Sequence, residues 1–212
     1  MEHTPSDRNE DRLESAGSGR YRLLQAASRE FSEVGFAAAS ISSIAGRAGV
    51  SKSTVFHHFS SKDELYLEVV RQAAQDFGQQ LDAVLSLSQA PDATLKQFQS
   101  SHLAHIERNG EVARLVLREL MEPANPRAVA LARDVLGANF SRLVRYLSDA
   151  REKGLIRQDV DPASAALLML SANVLFFQAG QVLGHLPGFA LAGQPQAWAD
   201  GVIDLLFKGL RA

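Results

Sequence analysis

The sequence predicts an all-α protein in two parts, a short N-terminal three-helix head and a longer C-terminal helical domain. Three observations lead there. Apolar residues recur at helical spacing from Arg20 onward, and no stretch of any length alternates in the period of two that a strand requires. Helix-start signals precede these stretches at Ser40, Ser51, Ser61 and Asp161-Pro162, and glycines follow several of them, at Gly35, Gly49 and Gly154. With 212 residues, 46% of them hydrophobic, the chain can bury one sizeable core or two small ones.

Residues 1–19 are polar and nearly free of large apolar groups, which reads as a disordered tail. Order is expected from Arg20, where Leu23, Leu24, Ala27, Phe31 and Val34 form one stripe and Gly35 closes the first helix. Ser40 then caps a short helix whose Ile41, Ile44, Ala45 and Ala48 share a face, and Gly49 stops it. Ser51 caps the next helix, with Val55 and Phe59 four apart and inward. That leaves Lys52, Ser53, Thr54, Phe56, His57 and His58 to the remaining directions. A cation, small donors and two imidazoles on one short helix are the kit for reading a DNA major groove. Residues 40–62 carry Arg47, Lys52 and Lys62 with no acid, inside a chain of 22 basic and 24 acidic residues. A basic island in a mildly acidic protein is the footprint expected of phosphate contact. Arg20 and Arg22 stand where an arm could reach an adjacent groove.

The run Ile44-Ala45, Ala48-Gly49-Val50-Ser51, Thr54-Val55-Phe56, Phe59, Lys62 and Leu65 resembles the DNA-binding signature of the TetR family of bacterial repressors, over about residues 20–68. The resemblance implies a helix-turn-helix head in an all-helical homodimer, with a C-terminal ligand-binding and dimerisation domain. It implies that Lys52, Ser53, Thr54 and His57 face base edges or the adjoining phosphates, and that Ser40, Phe56, His58 and Lys62 clamp the backbone. Two departures stand out. The family often has tyrosine at the position of Phe56, whose hydroxyl bonds a phosphate, and glycine is frequent where Ser53 stands. Residues 20–62 would then be the DNA-binding domain, 63–90 a connecting helix, and 91–212 the ligand-binding and dimerisation domain.

Ser61 and Glu64 form a capping box that opens the connecting helix, whose Leu65, Val69, Ala73, Phe77, Leu81 and Val84 make one stripe. The amide-rich start of that helix, beside Lys62, is also a candidate phosphate site. Beyond Pro91 helices are expected at about 93–108, 111–121 and 126–153. The helix after Pro162 is apolar nearly all round, so it needs burial on every side. In so small a domain a second subunit must supply part of that cover, which predicts a homodimer through helices near 162–184 and 196–210. Phe98, His102, His105, Met121, Phe140, Met169, Asn173, Phe176 and Phe177 are the candidate lining of a small-molecule effector pocket. Asn173, an amide in an apolar helix, needs a partner there, a ligand or its own symmetry mate.

A rival reading uses His102 and His105, three apart on one helix, as metal ligands with Glu107 and Glu119 nearby. The glutamate-x-x-histidine repeat of a di-iron bundle is missing, and no serine or cysteine nucleophile motif is present, which argues against an enzyme. No cofactor is implied. The chain has no cysteine, so disulfides and thiolate sites are excluded. The N-terminus lacks the order of a signal peptide, and no apolar run reaches the roughly 20 residues of a membrane helix. A cytoplasmic protein that binds a DNA operator is expected, with no membrane partner.

Overall fold

The structure, a computed structural model, describes residues 5–87, 90–122, 125–191 and 193–210, and these contain helices and no strand. The helices are α1 (Pro5–Ala38), α2 (Ile41–Ala48), α3 (Lys52–His58), α4 (Lys62–Leu85), α5 (Pro91–Arg108), α6 (Gly110–Met121), α7 (Pro126–Leu131), α8 (Gly137–Glu152), α9 (Pro162–Leu183) and α10 (Pro195–Leu210). A π-helical turn, Ala132–Leu136, joins α7 to α8. The sequence reading placed one helix over 126–153. The π turn divides it, because Leu131 and Val135 pack into the head while Leu143 and Leu147 pack into the second core.

The backbone is helical from Pro5, in one continuous run with the helix that the sequence reading opened at Arg20. Pro5 suits the first helical position, and Arg8, Glu10, Arg12, Leu13, Glu14 and Ala16 favour the helix that follows. Residues 1–4 lie outside the described residues. The far end of α1 breaks at Gly35, whose φ of 80° belongs to the left-handed side that glycine tolerates. A Cβ at this position would stand 2.6 Å from Arg118 Nη1. Val34, just before the break, is exposed rather than on the inner stripe.

Two hydrophobic clusters divide the molecule. The first joins Leu23, Ala27 and Phe31 of α1 to Ile44, Val55 and Phe59 of the hairpin and to Leu65, Tyr66, Val69 and Val70 of α4. It also takes in Leu115 of α6, Leu131 of α7 and Val135, so the head's core is completed by elements from later in the chain. The second joins Phe77, Leu81 and Val84 of α4 to Leu95, Phe98, Leu143, Leu147, Ile156, Met169 and Ile203. Each fully buried Phe or Leu here stabilises the fold by about 1.5–3 kcal/mol. Helix α4 belongs to both clusters, its first half to one and its second half to the other, so a tilt of α4 disturbs both. Its close approach to α8 depends on Gly78, where a Cβ would meet Asn139 Oδ1 at 2.8 Å. Asn139 Nδ2 there donates to the Ala74 carbonyl at 2.7 Å.

Helix α9 turns Ala165, Ala166, Met169, Asn173, Phe176 and Gly180 inward. Leu167, Leu168, Leu175 and Val182 are exposed on its other side. Contrary to the sequence reading, α9 is by length and composition apolar enough to cross a membrane, with 22 residues and a mean hydropathy of 1.6. Its buried face on α5 and α8 is nonetheless that of a core helix.

Candidate nucleic-acid interface

The hairpin is built by local hydrogen bonds. Ser40 Oγ accepts the Ser43 amide at 3.0 Å and starts α2. Gly49 ends it at φ 67°, ψ 34°, the left-handed cap that returns the chain for α3. Ser51 Oγ accepts the Thr54 amide at 3.1 Å and lies 2.7 Å from Ser53 Oγ and 2.9 Å from Thr54 Oγ1. The N-cap of α3 thus gathers two neighbouring hydroxyls at the start of the helix. Val55 and Phe59 point into the head core. Lys52, Ser53, Phe56 and His57 are exposed, Thr54 and His58 are half-buried, and the two imidazoles touch edge to face at 5.3 Å. One short helix therefore presents a cation, two hydroxyls, an aromatic ring and two imidazoles to solvent from a rigid base.

Residues 23–69 match the family model described as bacterial regulatory proteins, tetR family. The repressor NicS of Pseudomonas putida is 26% identical over 204 residues, covering 94% of this chain and 96% of that protein. Residues 23–69 thus form a TetR-type DNA-binding head, and the chain is similar to TetR-type transcription regulators over most of its length. The activator FasR of Mycolicibacterium smegmatis is 54% identical over 52 residues, 24% of each chain. Among solved structures, FadR of Bacillus subtilis in complex with stearoyl-CoA superposes with a TM-score of 0.75, covering 89% of this chain and 98% of that one. At 17% identity, that likeness shows the shared fold.

Within this TetR head the charges are distributed differently from the sequence expectation. Arg47 is spent inside the head: its Nε donates to Glu30 at 2.8 Å and its guanidinium grips Glu33, whose carboxyl it holds below the usual range. Arg20, expected as an arm toward DNA, instead pairs with Glu68 and stands 5.4 Å from the Phe59 ring centroid. Lys62 is the largest correction. Its Nζ donates to the carbonyls of Phe36 at 2.8 Å, Ala39 at 3.0 Å and Ala37 at 3.4 Å, closing the C-terminal end of α1. A cation at that end satisfies orphan carbonyls and complements the helix dipole, so its three donors face the protein and not a phosphate. The capping box is also looser than expected. Ser61 accepts the Glu64 amide, but Glu64 returns its bond to Ser60. Of the three hairpin cations only Lys52 is exposed with no ion-pair partner among the described residues.

Lys62 also joins a contact between head and core. Its Nζ lies 4.4 Å from the Phe36 ring centroid, and Arg127 Cζ of α7 lies 4.0 Å from the same centroid. Phe36 packs in turn on Phe31 and Tyr66. Arg127 is oriented by Nε donating to the buried Glu119 at 2.9 Å, and Asn125, which caps α7 by accepting the Arg127 amide at 3.0 Å, also holds Glu119. Sequence spacing could not reveal this clasp, since its members come from four separate elements.

The candidate effector residues divide sharply. Met121 is 76% exposed and cannot line an internal pocket, because α6 ends there. Phe177 is half-buried beneath Arg114, and Phe140 packs at the edge of the second core. Phe98, His102, His105, Met169, Asn173 and Phe176 are buried together among α5 and α9. Asn173 finds its partners within the chain, not in a symmetry mate: it accepts from Gln99 Nε2 at 2.8 Å and donates to the Gln99 carbonyl at 2.8 Å and to His102 Nδ1 at 3.1 Å. Gln99 was missed because a glutamine on an amphipathic helix reads as solvent-facing. Burial pushes the His102 imidazole down to about 3, and burial likewise lowers His105. The rings of Phe98 and Phe77 lie 5.7 Å and 5.1 Å from that of His102.

No group of three or more histidine, aspartate or glutamate side chains among the described residues could hold a metal ion. Glu119, offered with His102 and His105 in the metal reading, is instead bound by Arg127 and Asn125. A cleft of about 540 Å³ opens elsewhere, between α1, α4 and the α5–α6 turn. Tyr21, Gln25, Gln72, Asp76, Glu107 and Arg114 line it, and none of the nine candidate effector residues does.

Proposed function

We propose that this TetR regulator acts as a repressor that binds a two-fold symmetric DNA operator as a homodimer and leaves it when a small, largely apolar effector binds the core. The observation that carries the reading is the pairing of an exposed polar α3 with an unclad apolar face on α9. Lys52, Ser53, Thr54 and His57 read base edges or adjoining phosphates, while Ser40, Phe56 and His58 contact the backbone. Lys62 holds the end of α1 and so sets the angle at which the hairpin is presented. Leu167, Leu168, Leu175 and Val182 on α9, with Leu205 on α10, pack against the same face of a second copy. Burying each such side chain favours association by about 1.5–3 kcal/mol, enough in sum to offset the cost of dimerisation.

Two heads related by that axis would enter successive major grooves about 34 Å apart. Effector release follows if the ligand binds more tightly to a dimer whose heads no longer match that spacing. The test is selection of bound sequences from random duplex DNA, with the mass in solution measured alongside. A palindromic consensus and a dimer are expected. A monomer, or retention of DNA without sequence preference at moderate salt, overturns the reading.

A further inference from the structure

Buried polar atoms without partners are rare in folded proteins, and each one asks for an explanation. Among the described residues they are Tyr66 Oη, Thr94 Oγ1, Gln99 Oε1 and Trp198 Nε1. Three of these lie on α5 and α10, which pack on each other, with α9 beside α5. The unpartnered end of the Gln99 amide is its oxygen. Its Nε2 donates to both the Met169 carbonyl at 2.9 Å and Asn173 Oδ1 at 2.8 Å, two acceptors, so the other end must be the oxygen. That oxygen is an acceptor wholly shut from water. Trp198 stacks on Phe176 at 5.0 Å, and Phe176 lies three residues beyond Asn173 on the inner face of α9. An orphan acceptor and an orphan hydroxyl thus lie on α5 and an orphan N–H on α10, helices that pack on each other with α9 beside them.

The buried part of this region lacks charge. The buried polar residues of α5 and α9 are Thr94, Gln99, His102, His105 and Asn173, and the buried carboxylates of Glu30 and Glu119 sit with arginines at the head side. His102 accepts at Nδ1 from Asn173, the bonding of a neutral imidazole. No buried side chain here would neutralise a carboxylate or phosphate, Lys96 at the outer seam of α5 and α10 is already paired with Asp204, and an ion buried without a partner is strongly disfavoured.

We propose that the effector of this regulator is an uncharged, largely apolar molecule with one hydroxyl or amide group, which enters between α5, α9 and α10 and pairs with the atoms that Gln99, Thr94 and Trp198 leave open. This rests on the reading that the core binds an effector. Such a group supplies a donor for Gln99 Oε1 and an acceptor for an N–H or hydroxyl. Entry requires α10 to part from α5, where the exposed Gln196–Ser100 bond at 2.8 Å and the Lys96–Asp204 ion pair at 2.6 Å hold it. Because α9 and α10 also carry the unclad apolar faces, the movement would reach the partner subunit directly. The selectivity is opposite to that suggested by the stearoyl-CoA bound to FadR of Bacillus subtilis, an anionic ligand.

The chain has a single tryptophan, Trp198, so its emission reports on this site alone. The full chain is titrated at pH 8 with two matched pairs, dodecan-1-ol against dodecanoate and 1-adamantanol against adamantane-1-carboxylate. At least one alcohol should change the emission saturably and bind tenfold or more tighter than its carboxylate. The Gln99→Met variant should weaken that alcohol about tenfold, with thermal unfolding followed in parallel; the wild-type comparison stands even if the variant misfolds. Equal or tighter binding of the carboxylates overturns the proposed ligand class while leaving a core effector site. Silence from all four compounds overturns the class and counts against the effector reading as well. Neither outcome touches DNA recognition, which the random-sequence selection tests separately.

Discussion

Substituting Lys62 by methionine separates two roles that the side chain cannot fill at once. In the structure the ammonium spends its donors on the Phe36, Ala37 and Ala39 carbonyls. Methionine keeps the apolar stem and removes all three bonds. Hydrogen bonds from charged donors contribute about 1.5–3 kcal/mol each when buried, and water can reach this half-exposed site, so the loss should be about 2–3 kcal/mol in total. For a chain of this size that lowers the midpoint of thermal unfolding by about 5–10 °C. Operator affinity falls too, because the α1 end that seats the hairpin loosens, but the dependence of affinity on salt should keep its slope. A phosphate contact predicts the reverse: unchanged unfolding, and a slope smaller by about 0.9 in log–log form. Circular dichroism melting and operator titrations at four salt concentrations decide it. A melting point within about 2 °C of wild type, together with the reduced slope, would refute the capping role.

The Arg127→Gln variant leaves the buried Glu119 carboxylate with only Asn125, and should cost about 2–3 kcal/mol of stability, with Glu119→Gln in the same chain restoring most of it in a double-mutant cycle. Phe56→Tyr restores the hydroxyl usual at that position in the family and should tighten operator binding by about 1 kcal/mol, read as roughly fivefold in a gel-shift titration. For pH, the unfolded His102 takes up a proton near 6.5 while the folded one resists until about 3, so stability is full above 6.5 and is lost as pH falls between those values. His105, lowered in the same direction despite the opposing Asp76, adds to the loss, and His102→Gln should flatten the acid limb by up to about 1.4 kcal/mol per pH unit in denaturant titrations.

What the sequence revealed of the head, and what it hid, follows from how far each interaction reaches along the chain. Ser40, Ser51, Ser61 and Asp161 each cap a helix by accepting an amide three residues ahead, so the whole interaction fits within one window of sequence. Gly35 and Gly49 were legible for the same reason, since a left-handed φ is a property of one residue. Lys62 was misread because the carbonyls it serves lie 23–26 residues earlier, across the hairpin. Arg47 and Arg20 were misread likewise, since Glu30, Glu33 and Glu68 come close only once the head has folded. A count of cations therefore overstated the free charge of the hairpin, and on the proposed reading recognition leans on the hydroxyls, imidazoles and Lys52 of α3.

The core poses a harder problem, because α9 gives no periodicity to read. When nearly every position is apolar, composition shows that the helix must be covered but not which side meets its own domain. Small residues help decide the matter in the fold: Ala165 and Ala166 are buried on the inner face of α9, the face that seats Asn173 against Gln99, 74 residues away. The large side chains Leu167, Leu168, Leu175 and Val182 are left facing out. An exposed row of large apolar side chains of this kind is the sort of surface through which proteins associate. With the orphan atoms on α5 and α10, the proposed dimer and effector would give α9 and α10 two partners, a second subunit outside and a ligand within. On that proposal a change in either one alters the packing that the other meets.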